Sequence, residues 1–413
     1  MPHRPSANAA CRVLLATCCV LAWVLPATAQ PSASPIRLGL ITDMSGPSSA
    51  NNGAGTVLGA KLAITDAGGS VLGRPVELLT ADHLNKVDVG MSIVRRWVDT
   101  DGVAVVLDTA NSAVALGVQD LVRERNRIAI FTGSLSSELT GKACSPNGFH
   151  WVIDTYSQTH AMIPTLLREG KTSWFFITAD YAFGIQSERD ATAAVTAGGG
   201  KVVGDALAPM PTNDFSSYLL KAASSKAQVI GIANAVTDLI NTVKQAHEFQ
   251  VGQASGQELA TFYLMIRDVE SIGLPDTQGV LLADAFYWDQ DDATRAFAKR
   301  FYDQAGYMPN ELQAGMYSAV THYLRAVETA GTTDTASVLK AMRDTPVEDF
   351  MTHSARIRAD GRLMRDLYLF RVKPPGVSKG PWDLYEQVAR IPAEEAFRPV
   401  KDSACALLKS AAQ

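Results

Sequence analysis

The sequence predicts an α/β protein with two doubly wound αβ lobes and mainly parallel sheets. Apolar runs of about four to eight residues alternate with longer amphipathic stretches, which is the pattern of βα units whose sheet is covered on both faces. The alternation occurs in two similar series that meet at residues 151–156. A chain of 413 residues is also longer than one hydrophobic core usually serves, so two lobes are expected.

The N-terminus has the three parts of a secretory signal peptide, which we expect to span residues 1–29. Arg4 and Arg12 give it a basic start without an acid, residues 13–25 are almost wholly apolar, and Ala27-Thr28-Ala29 is a small-residue cleavage pattern. The apolar run is too short for a membrane anchor, because a spanning helix needs about 20 apolar residues. Cleavage after about Ala29 would release an exported mature chain.

Composition argues against several classes of function. The chain is 47% hydrophobic and 19% charged, as ordinary globular proteins are. Its net charge of −5 offers no basic surface for nucleic acid and no polybasic patch for a membrane. No stretch after the signal reaches spanning length without a charge, so we expect the mature protein to be soluble.

The cysteines support the same compartment. Cys11, Cys18 and Cys19 lie in the signal segment, which leaves Cys144 and Cys405 as a pair in an oxidising environment. A disulfide between them is favoured there over two buried thiols. The chain-entropy model credits so long a loop with about 5 kcal/mol. Cys18 also ends a weak lipoprotein box, but a threonine directly before the cysteine is unusual and the apolar run continues past it.

The two series of elements can be located along the chain. Strands are expected at residues 37–42, 76–80, 103–108 and 127–132, then at 173–178, 201–207, 228–234, 260–265 and 280–285. Helices are expected between them at 85–98, 112–125, 157–169, 183–197 and 235–249. Later helices at 292–304 and 311–330 should pack on the first lobe. Residues 356–362 and 366–372 predict a hairpin around the turn Asp360-Gly361.

No low-complexity linker separates the two series, so several crossing strands should join the lobes. We expect the first lobe to comprise residues 30–153 and 287–350. The second lobe should comprise 154–286 and 351–400, followed by a C-terminal tail at 401–413.

Motifs that would indicate catalysis or a cofactor fail on their spacing. Gly53–Gly59 reads GxGxxxG about ten residues after a strand, whereas a dinucleotide-binding turn has its first glycine at the strand end. The seven histidines have no helical spacing, and Asp289–Asp292 lacks the glycine and distal glutamate of an EF-hand. Gly133–Ser136 is not a GxSxG elbow. We therefore expect no enzyme activity, no cofactor and no metal.

Small polar and aromatic residues follow the carboxyl ends of the predicted strands, which is the edge where open αβ sheets bind ligands. They are Ser45, Asn111, Ser112, Gly133 and Ser134 in the first lobe and Tyr181, Phe183 and Asn234 in the second. The helix starts near Ser112 and Phe183 offer unpaired N–H groups and a positive dipole end, which suit a carboxylate. Two lobes that face each other across these edges form a ligand cleft.

Short motifs along nearly the whole mature chain resemble one family. They lie at residues 44–47 (MSGP), 59–64 (GAKLAI), 68–69, 72–78 (LGRPVEL), 94–106, 137–140 (SELT), 180–184 (DYAFG), 213–219 (NDFSSYL), 307–309 and 330–334. In this order they resemble periplasmic substrate-binding proteins of ABC transporters, of the leucine/isoleucine/valine-binding type. The resemblance implies three hinge crossings around a central ligand cleft, a periplasmic location, a monomer, and delivery of a small molecule to ABC permease subunits.

The resemblance also implies roles for particular residues. It adds Asn52, in the loop after the first strand, to the strand-end residues named above. In amino-acid binders of this family, serine and backbone amides near the positions of Ser112, Gly133 and Ser134 hold the ligand carboxylate. An acid in the second lobe holds the ammonium, but here Arg267 stands near its position and Asp268 follows.

These departures leave the ligand open. An unpaired buried ammonium costs several kcal/mol, so an α-amino acid is a poor ligand if Asp268 does not reach the cleft. Asn51 and Asn52 stand where amino-acid binders often have an aromatic residue. Tyr287, at a predicted crossing, either forms an aromatic wall of the cleft or packs the hinge. We favour a small organic acid, aromatic or aliphatic, or an amide, over a branched-chain amino acid.

Two other functions fit parts of the sequence. A ligand-sensing receptor or regulator of the same fold would need only the binding step. An exported hydrolase would need a nucleophile or an acid pair in the cleft. Several acids do fall near strand ends, but in αβ folds such acids are more often caps or hydrogen-bond partners of a ligand.

Overall fold

The computed structural model describes residues 34–252 and 255–410. The predicted signal peptide and the last three residues of the predicted tail lie outside this range. No helix in the described range is both long enough and apolar enough to cross a membrane. The chain folds into two αβ lobes built on separate sheets, and the predicted fold class is confirmed.

The sheet of the first lobe has the order β2-β3-β1-β4-β5-β6 and is parallel except for the β2–β3 pair. Its strands are β1 (Ile36–Thr42), β2 (Ser70–Val71), β3 (Arg74–Asp82), β4 (Val103–Asp108), β5 (Ile128–Phe131) and β6 (Gly148–His150). Ile36, Leu38 and Leu40 pack into one core and Ile41 into the other, because strand side chains alternate between faces. The sheet is therefore covered on both sides.

Helices of the first lobe come from two parts of the chain, and the later ones pack on this lobe as predicted. They are α1 (Gly53–Asp66), α2 (Val87–Asp99), α3 (Ser112–Glu124), α10 (Asp292–Ala305), α11 (Glu311–Ala330) and α12 (Thr335–Asp344), with a 3-10 turn at Ser137–Thr140. Gly59 allows a close contact between α1 and α11, because a Cβ there would lie 2.4 Å from the backbone oxygen of Gln313.

The sheet of the second lobe has the order β16-β15-β11-β10-β9-β7-β8, with β15 and β16 antiparallel at one edge. Its strands are β7 (Ser173–Ala179), β8 (Lys201–Ala208), β9 (Val229–Ala233), β10 (Glu258–Thr261), β11 (Leu281–Asp284), β15 (Leu367–Val372) and β16 (Tyr385–Ile391). Its helices are α4 (Thr155–Arg168), α5 (Ala182–Ala197), α6 (Ser216–Ser224), α7 (Val236–Glu248), α8 (Ile266–Ile272), α9 (Leu274–Thr277), α13 (Ala393–Ala396) and α14 (Ala406–Ser410), with 3-10 turns at Pro375–Val377 and Val400–Asp402.

A small third sheet corrects both the predicted lobe boundary at residue 350 and the predicted hairpin. Its strands are β12 (Val347–Asp349), β13 (Thr352–Ile357) and β14 (Leu363–Met364). Ala355, Ile357 and Leu363 pack into the core of the first lobe, so the chain crosses to the second lobe after β14. The Asp360-Gly361 turn is present, but β13 pairs with β14, while β15 joins the sheet of the second lobe.

Buried ion pairs join the segments that cross between the lobes. Arg362 donates through Nη1 to the Asp154 carboxylate at 3.2 Å, and both side chains are almost fully buried. Arg365 donates to Glu311 Oε1 at 2.8 Å, and the same oxygen accepts the backbone N–H of Ile153 at 3.0 Å. These contacts link the start of α4, the start of α11 and the crossing after β14.

The predicted disulfide joins Cys144 to Cys405 across 261 residues. Cys405 is fully buried, and Leu408 in the following helix is also buried. The bond thus fixes the end of the chain to the loop that precedes β6. It contributes stability mainly by restricting the unfolded chain.

Candidate functional site

A cavity of about 80 Å³ lies between the two lobes, at the carboxyl ends of their strands. Both lobes contribute to it, as expected of a site formed when they close. Its lining residues are Pro47, Ser48, Asn85, Ala110, Asn111, Ser112, Gly133 and Leu135 from the first lobe and Tyr181, Phe183, Met210, Ala235, Val236 and Tyr263 from the second. No charged side chain is among these described lining residues.

On the side of the first lobe, Asn111 organises the start of α3. Its Oδ1 accepts the N–H groups of Ala113 and Val114 at 2.9 and 3.1 Å, and its Nδ2 donates to Asn85 Oδ1 at 2.6 Å. Capping by asparagine fixes the helix entry and leaves Ser112 as the first helical residue. The Ser112 hydroxyl therefore lines the cavity at the positive end of a helix, where an anion is stabilised.

Gly133 forms a wall of the cavity that no larger residue fits. A Cβ there would lie 2.3 Å from Asp108 Oδ1, 2.8 Å from Asn52 Oδ1 and 3.0 Å from the Cα of Ala110. Asp108, the last residue of β4, adopts a left-handed φ of 78°. This strained turn brings Ala110 and Asn111 to the cavity.

Asp108 lies behind Gly133 and is fully buried. Burial raises its pKa to about 7, with Asp43 adding to the rise, while hydrogen bonds from Thr42 and Thr132 act in the opposite direction. Between pH 3.8 and about 7 the folded protein thus holds a proton that the unfolded chain has released. Stability associated with this group must fall as the pH rises through that window.

Asp108→Asn removes this titration while keeping the shape of the protonated acid. The unfolding free energy of the variant minus that of wild type should therefore increase by about 2–3 kcal/mol as the pH rises from about 5 to about 8. Urea unfolding of both proteins across this range measures the difference. Parallel pH profiles for the two proteins would contradict the assignment. The wild-type profile alone is not diagnostic, because buried histidines such as His150 titrate in the same range with the opposite sign.

On the side of the second lobe, aromatic rings form a continuous wall. The Tyr181 and Phe183 rings lie 6.0 Å apart, and Phe183 meets Tyr263 edge-to-face at 5.7 Å. Burial raises the pKa of both tyrosines, so their hydroxyls stay protonated and can donate hydrogen bonds. The starts of α5 and α7 reach the same cavity through Tyr181, Phe183, Ala235 and Val236. This half of the site is apolar in its walls and positive at its helix ends.

Asp268 does not line the cavity. Its two carboxylate oxygens accept Nδ2 of Asn51 at 3.0 and 3.1 Å, and one also accepts the backbone N–H of Met265 at 3.0 Å. Burial raises its pKa to about 6, although these hydrogen bonds act to lower it. The carboxylate is thus occupied by groups of the protein itself. Its predicted role toward a ligand ammonium has no geometric basis in this structure.

Five of the eleven predicted ligand residues line the cavity: Asn111, Ser112, Gly133, Tyr181 and Phe183. Ser134 lies directly behind, with its hydroxyl 3.4 Å from that of Ser112. Asn52 is fully buried at the start of α1, close behind Gly133.

The remaining predicted residues have structural partners away from the cavity. Ser45 donates to the Asp82 carboxylate at 2.6 Å, and Asn234 donates to the Thr242 hydroxyl at 2.8 Å. Tyr287 donates to the backbone oxygen of Trp382 at 2.9 Å and stacks near Tyr385. Of the two readings of Tyr287, packing near the hinge is the one that agrees with its contacts.

Sequence reasoning missed several lining residues, chiefly Ser48, Asn85, Met210, Val236 and Tyr263. All of them follow the carboxyl end of a strand, so the positional rule that selected Ser112 also applied to them. After β10 the family resemblance pointed to an acid, whereas the residue that lines the cavity there is the aromatic Tyr263.

Comparisons with known proteins agree with this architecture. Residues 35–381 match the family model described as periplasmic binding protein. The chain is 40% identical to a periplasmic binding protein from Burkholderia mallei, with 90% of this chain and 99% of that chain covered and a TM-score of 0.87. It is also 40% identical to a branched-chain amino acid ABC transporter periplasmic ligand-binding protein from Burkholderia xenovorans, with 90% and 100% covered and a TM-score of 0.84.

A more distant structure shares the fold. It is an ABC transporter solute-binding protein from R. palustris in complex with benzoate, 19% identical, with 90% of this chain and all of that chain covered and a TM-score of 0.78. No curated protein sequence matches the chain. The family match, the two relatives at 40% identity and the cavity between two αβ lobes lead to one conclusion: the chain belongs to the periplasmic binding proteins, the solute-binding components of ABC transporters.

Proposed function

We propose that the protein captures a small carboxylic acid that has an apolar or aromatic body and no α-ammonium group, and delivers it to ABC permease subunits. The observation that carries the proposal is the state of Asp268, whose carboxylate is engaged by Asn51 and by the backbone of Met265. A ligand ammonium would have no carboxylate partner among the described lining residues. A buried charge without a partner is costly, so the cavity favours a ligand without one.

The same cavity is suited to a carboxylate. The starts of α3, α5 and α7 all reach it with a positive dipole end, and α5 and α7, which have no side-chain cap, also bring unpaired N–H groups. The Ser112 hydroxyl adds a donor at the first of these helix ends. A carboxylate can therefore be held without a cationic side chain.

The apolar part of the ligand would face the wall of Tyr181, Phe183 and Tyr263. Phe183 and Tyr263 are each 6% exposed, so a ring or branched chain placed there loses its contact with water. A protein of the same fold binds benzoate, which is an acid of this kind. Capture follows from closure, since both lobes line the cavity.

The proposal includes export. The mature protein would begin at Gln30 in the periplasm after removal of the signal peptide, and it would act as a monomer without catalytic activity. A sensory role would use the same binding step, and permease and ATPase genes adjacent to the gene for this protein would favour transport.

Ligand binding can be tested with pairs of acids that differ only in the amine. We expect 4-methylpentanoate and benzoate to raise the melting temperature, while leucine has a smaller effect. A ligand at about 100 times its Kd adds about 2.7 kcal/mol to stability, which thermal-shift and calorimetric measurements resolve. Ser112→Ala should weaken either acid about tenfold because a donor to the carboxylate is lost. The exposed Ser92→Ala in α2 serves as the matched control.

Tighter binding of leucine than of 4-methylpentanoate would refute the proposed ligand class. An unchanged affinity of Ser112→Ala for both acids would show that the carboxylate lies elsewhere in the cavity.

A further inference from the structure

Two consecutive residues at the start of α8, Arg267 and Asp268, each contact the opposite lobe. Asp268 accepts hydrogen bonds from Asn51, and the guanidinium of Arg267 lies 3.8 Å from the centre of the Tyr307 ring. Asn51 belongs to the loop after β1, and Tyr307 lies between α10 and α11, so both partners are in the first lobe. None of these four side chains lines the ligand cavity.

Asn51 is held in place from its own lobe. Asn310, which caps α11, donates through Nδ2 to the backbone oxygen of Asn51 at 2.9 Å. Asn51 and Asp268 are 2% and 4% exposed, so their contact is shielded from water. A hydrogen bond from an amide to a shielded carboxylate is stronger than one at the surface.

Tyr307 is similarly fixed against the first lobe. A Cβ at Gly55 in α1 would lie 2.7 Å from the Tyr307 hydroxyl, which shows how closely the ring approaches that helix. Arg267 therefore stacks on a ring whose hydroxyl lies against α1. A cation over an aromatic face is attracted to it, more strongly where water is excluded.

We propose that Asn51–Asp268 and Arg267–Tyr307 form an interlobe clasp that stabilises the closed state without contacting the ligand. The proposal rests on capture by closure, which the proposed function also uses, but it does not depend on which ligand is bound. Asn51 and Asp268 are positioning residues. Their contact can form only when the lobes are together, so it shifts the open–closed equilibrium in favour of closure.

A clasp of this kind has a defined signature. The apparent Kd of any ligand equals the intrinsic value divided by the fraction of protein that is competent to bind. Weakening the clasp should therefore weaken every ligand by the same factor. A residue that faces the apolar body of the ligand, such as Phe183, should affect ligands of different shape unequally.

Asn51→Asp tests the clasp because it places a second carboxylate against Asp268. We expect it to weaken benzoate, 4-methylpentanoate and any amino acid that binds wild type by one common factor of about tenfold or more. The exchange Asn51→Asp/Asp268→Asn restores an amide facing a carboxylate with reversed polarity. It should return each affinity to within about threefold of wild type. Asn213→Asp, an exposed change of the same charge in the second lobe, is the control.

Small-angle X-ray scattering gives a readout that is independent of affinity. Asn51→Asp should have a larger radius of gyration than wild type at the same ligand concentration, and the exchanged protein should regain the wild-type value. If Asn51→Asp does not fold, Asn51→Ala replaces it and should likewise weaken all ligands by one common factor.

Unequal loss across ligands, or an exchanged protein as weak as the single variant, would overturn the clasp. These outcomes differ from failure of the proposed ligand class. The proposed ligand class fails if wild type prefers leucine. The test of the clasp instead compares the loss of affinity among whichever ligands wild type binds.

Discussion

Arg362→Met should lower the free energy of unfolding by about 3–5 kcal/mol, because it leaves the Asp154 carboxylate buried without its counter-charge. Arg362 is 1% exposed, donates to Asp154 and to the backbone oxygen of Val152, and stacks on the Phe397 ring at 4.5 Å. Burial acts to raise the pKa of Asp154, but Arg362, His150 and Ser157 hold this pKa below its usual value. The carboxylate thus stays charged and needs its partner. Urea unfolding measures the loss.

A double variant separates charge from shape. Asp154→Asn/Arg362→Met removes both charges, while asparagine still caps the start of α4 by accepting the N–H of Ser157. We expect it to recover much of the stability lost in the single variant. Arg356→Met, an exposed change in β13, should be close to wild type. A single variant within about 1 kcal/mol of wild type would show that water or another group compensates Asp154.

Gly133→Ala should weaken ligand binding by at least about tenfold, because the added Cβ cannot be accommodated without moving the wall of the cavity. The new atom would lie closer than 3 Å to both Asp108 Oδ1 and Asn52 Oδ1, which are buried on two neighbouring segments. Displacing Asp108 alters the start of α3, and displacing Asn52 alters the loop before α1. Calorimetry with benzoate and 4-methylpentanoate, at a temperature where the variant is folded, gives the change in Kd.

Gly376→Ala provides the matched control, because a Cβ there meets no atom within 4 Å. Its affinity and melting temperature should equal those of wild type. If Gly133→Ala bound both acids as tightly as wild type, Gly133 would not form part of the binding surface.

Much of the fold could be predicted from local patterns. The strand 103–108 is found as Val103–Asp108, and the helix 183–197 as Ala182–Ala197. Runs such as Val229–Ala233 are apolar throughout because helices cover both faces of the sheet. The point after residue 350 at which the chain returns to the second lobe could not be found in this way. β13 has apolar residues that suit either lobe, and only their place in the core that also contains Phe149 and Trp151 assigns them to the first.

For the candidate ligand site, too, some residues could be predicted from the sequence and others could not. Asn111 and Ser112 could be found because a capping residue between a strand and a helix has one position in an αβ unit. Asn234 satisfies the same rule, but its side chain turns toward Thr242 inside the second lobe. Position along the chain fixes which edge of the sheet a residue occupies. It does not fix the direction of the side chain.

By itself, the sequence determined the two-lobe αβ class and the family resemblance, because periodicity and motif order are local properties, and it favoured a bond between Cys144 and Cys405, which the structure then showed. Only the tertiary structure decided what Asp268 does. Its partner Asn51 is 217 residues away, and the contact exists because two separate sheets bring their strand ends together. A carboxylate that is hydrogen-bonded to the opposite lobe cannot be distinguished in sequence from one that is free to bind a ligand, since both follow a strand. The difference is one of three-dimensional proximity alone.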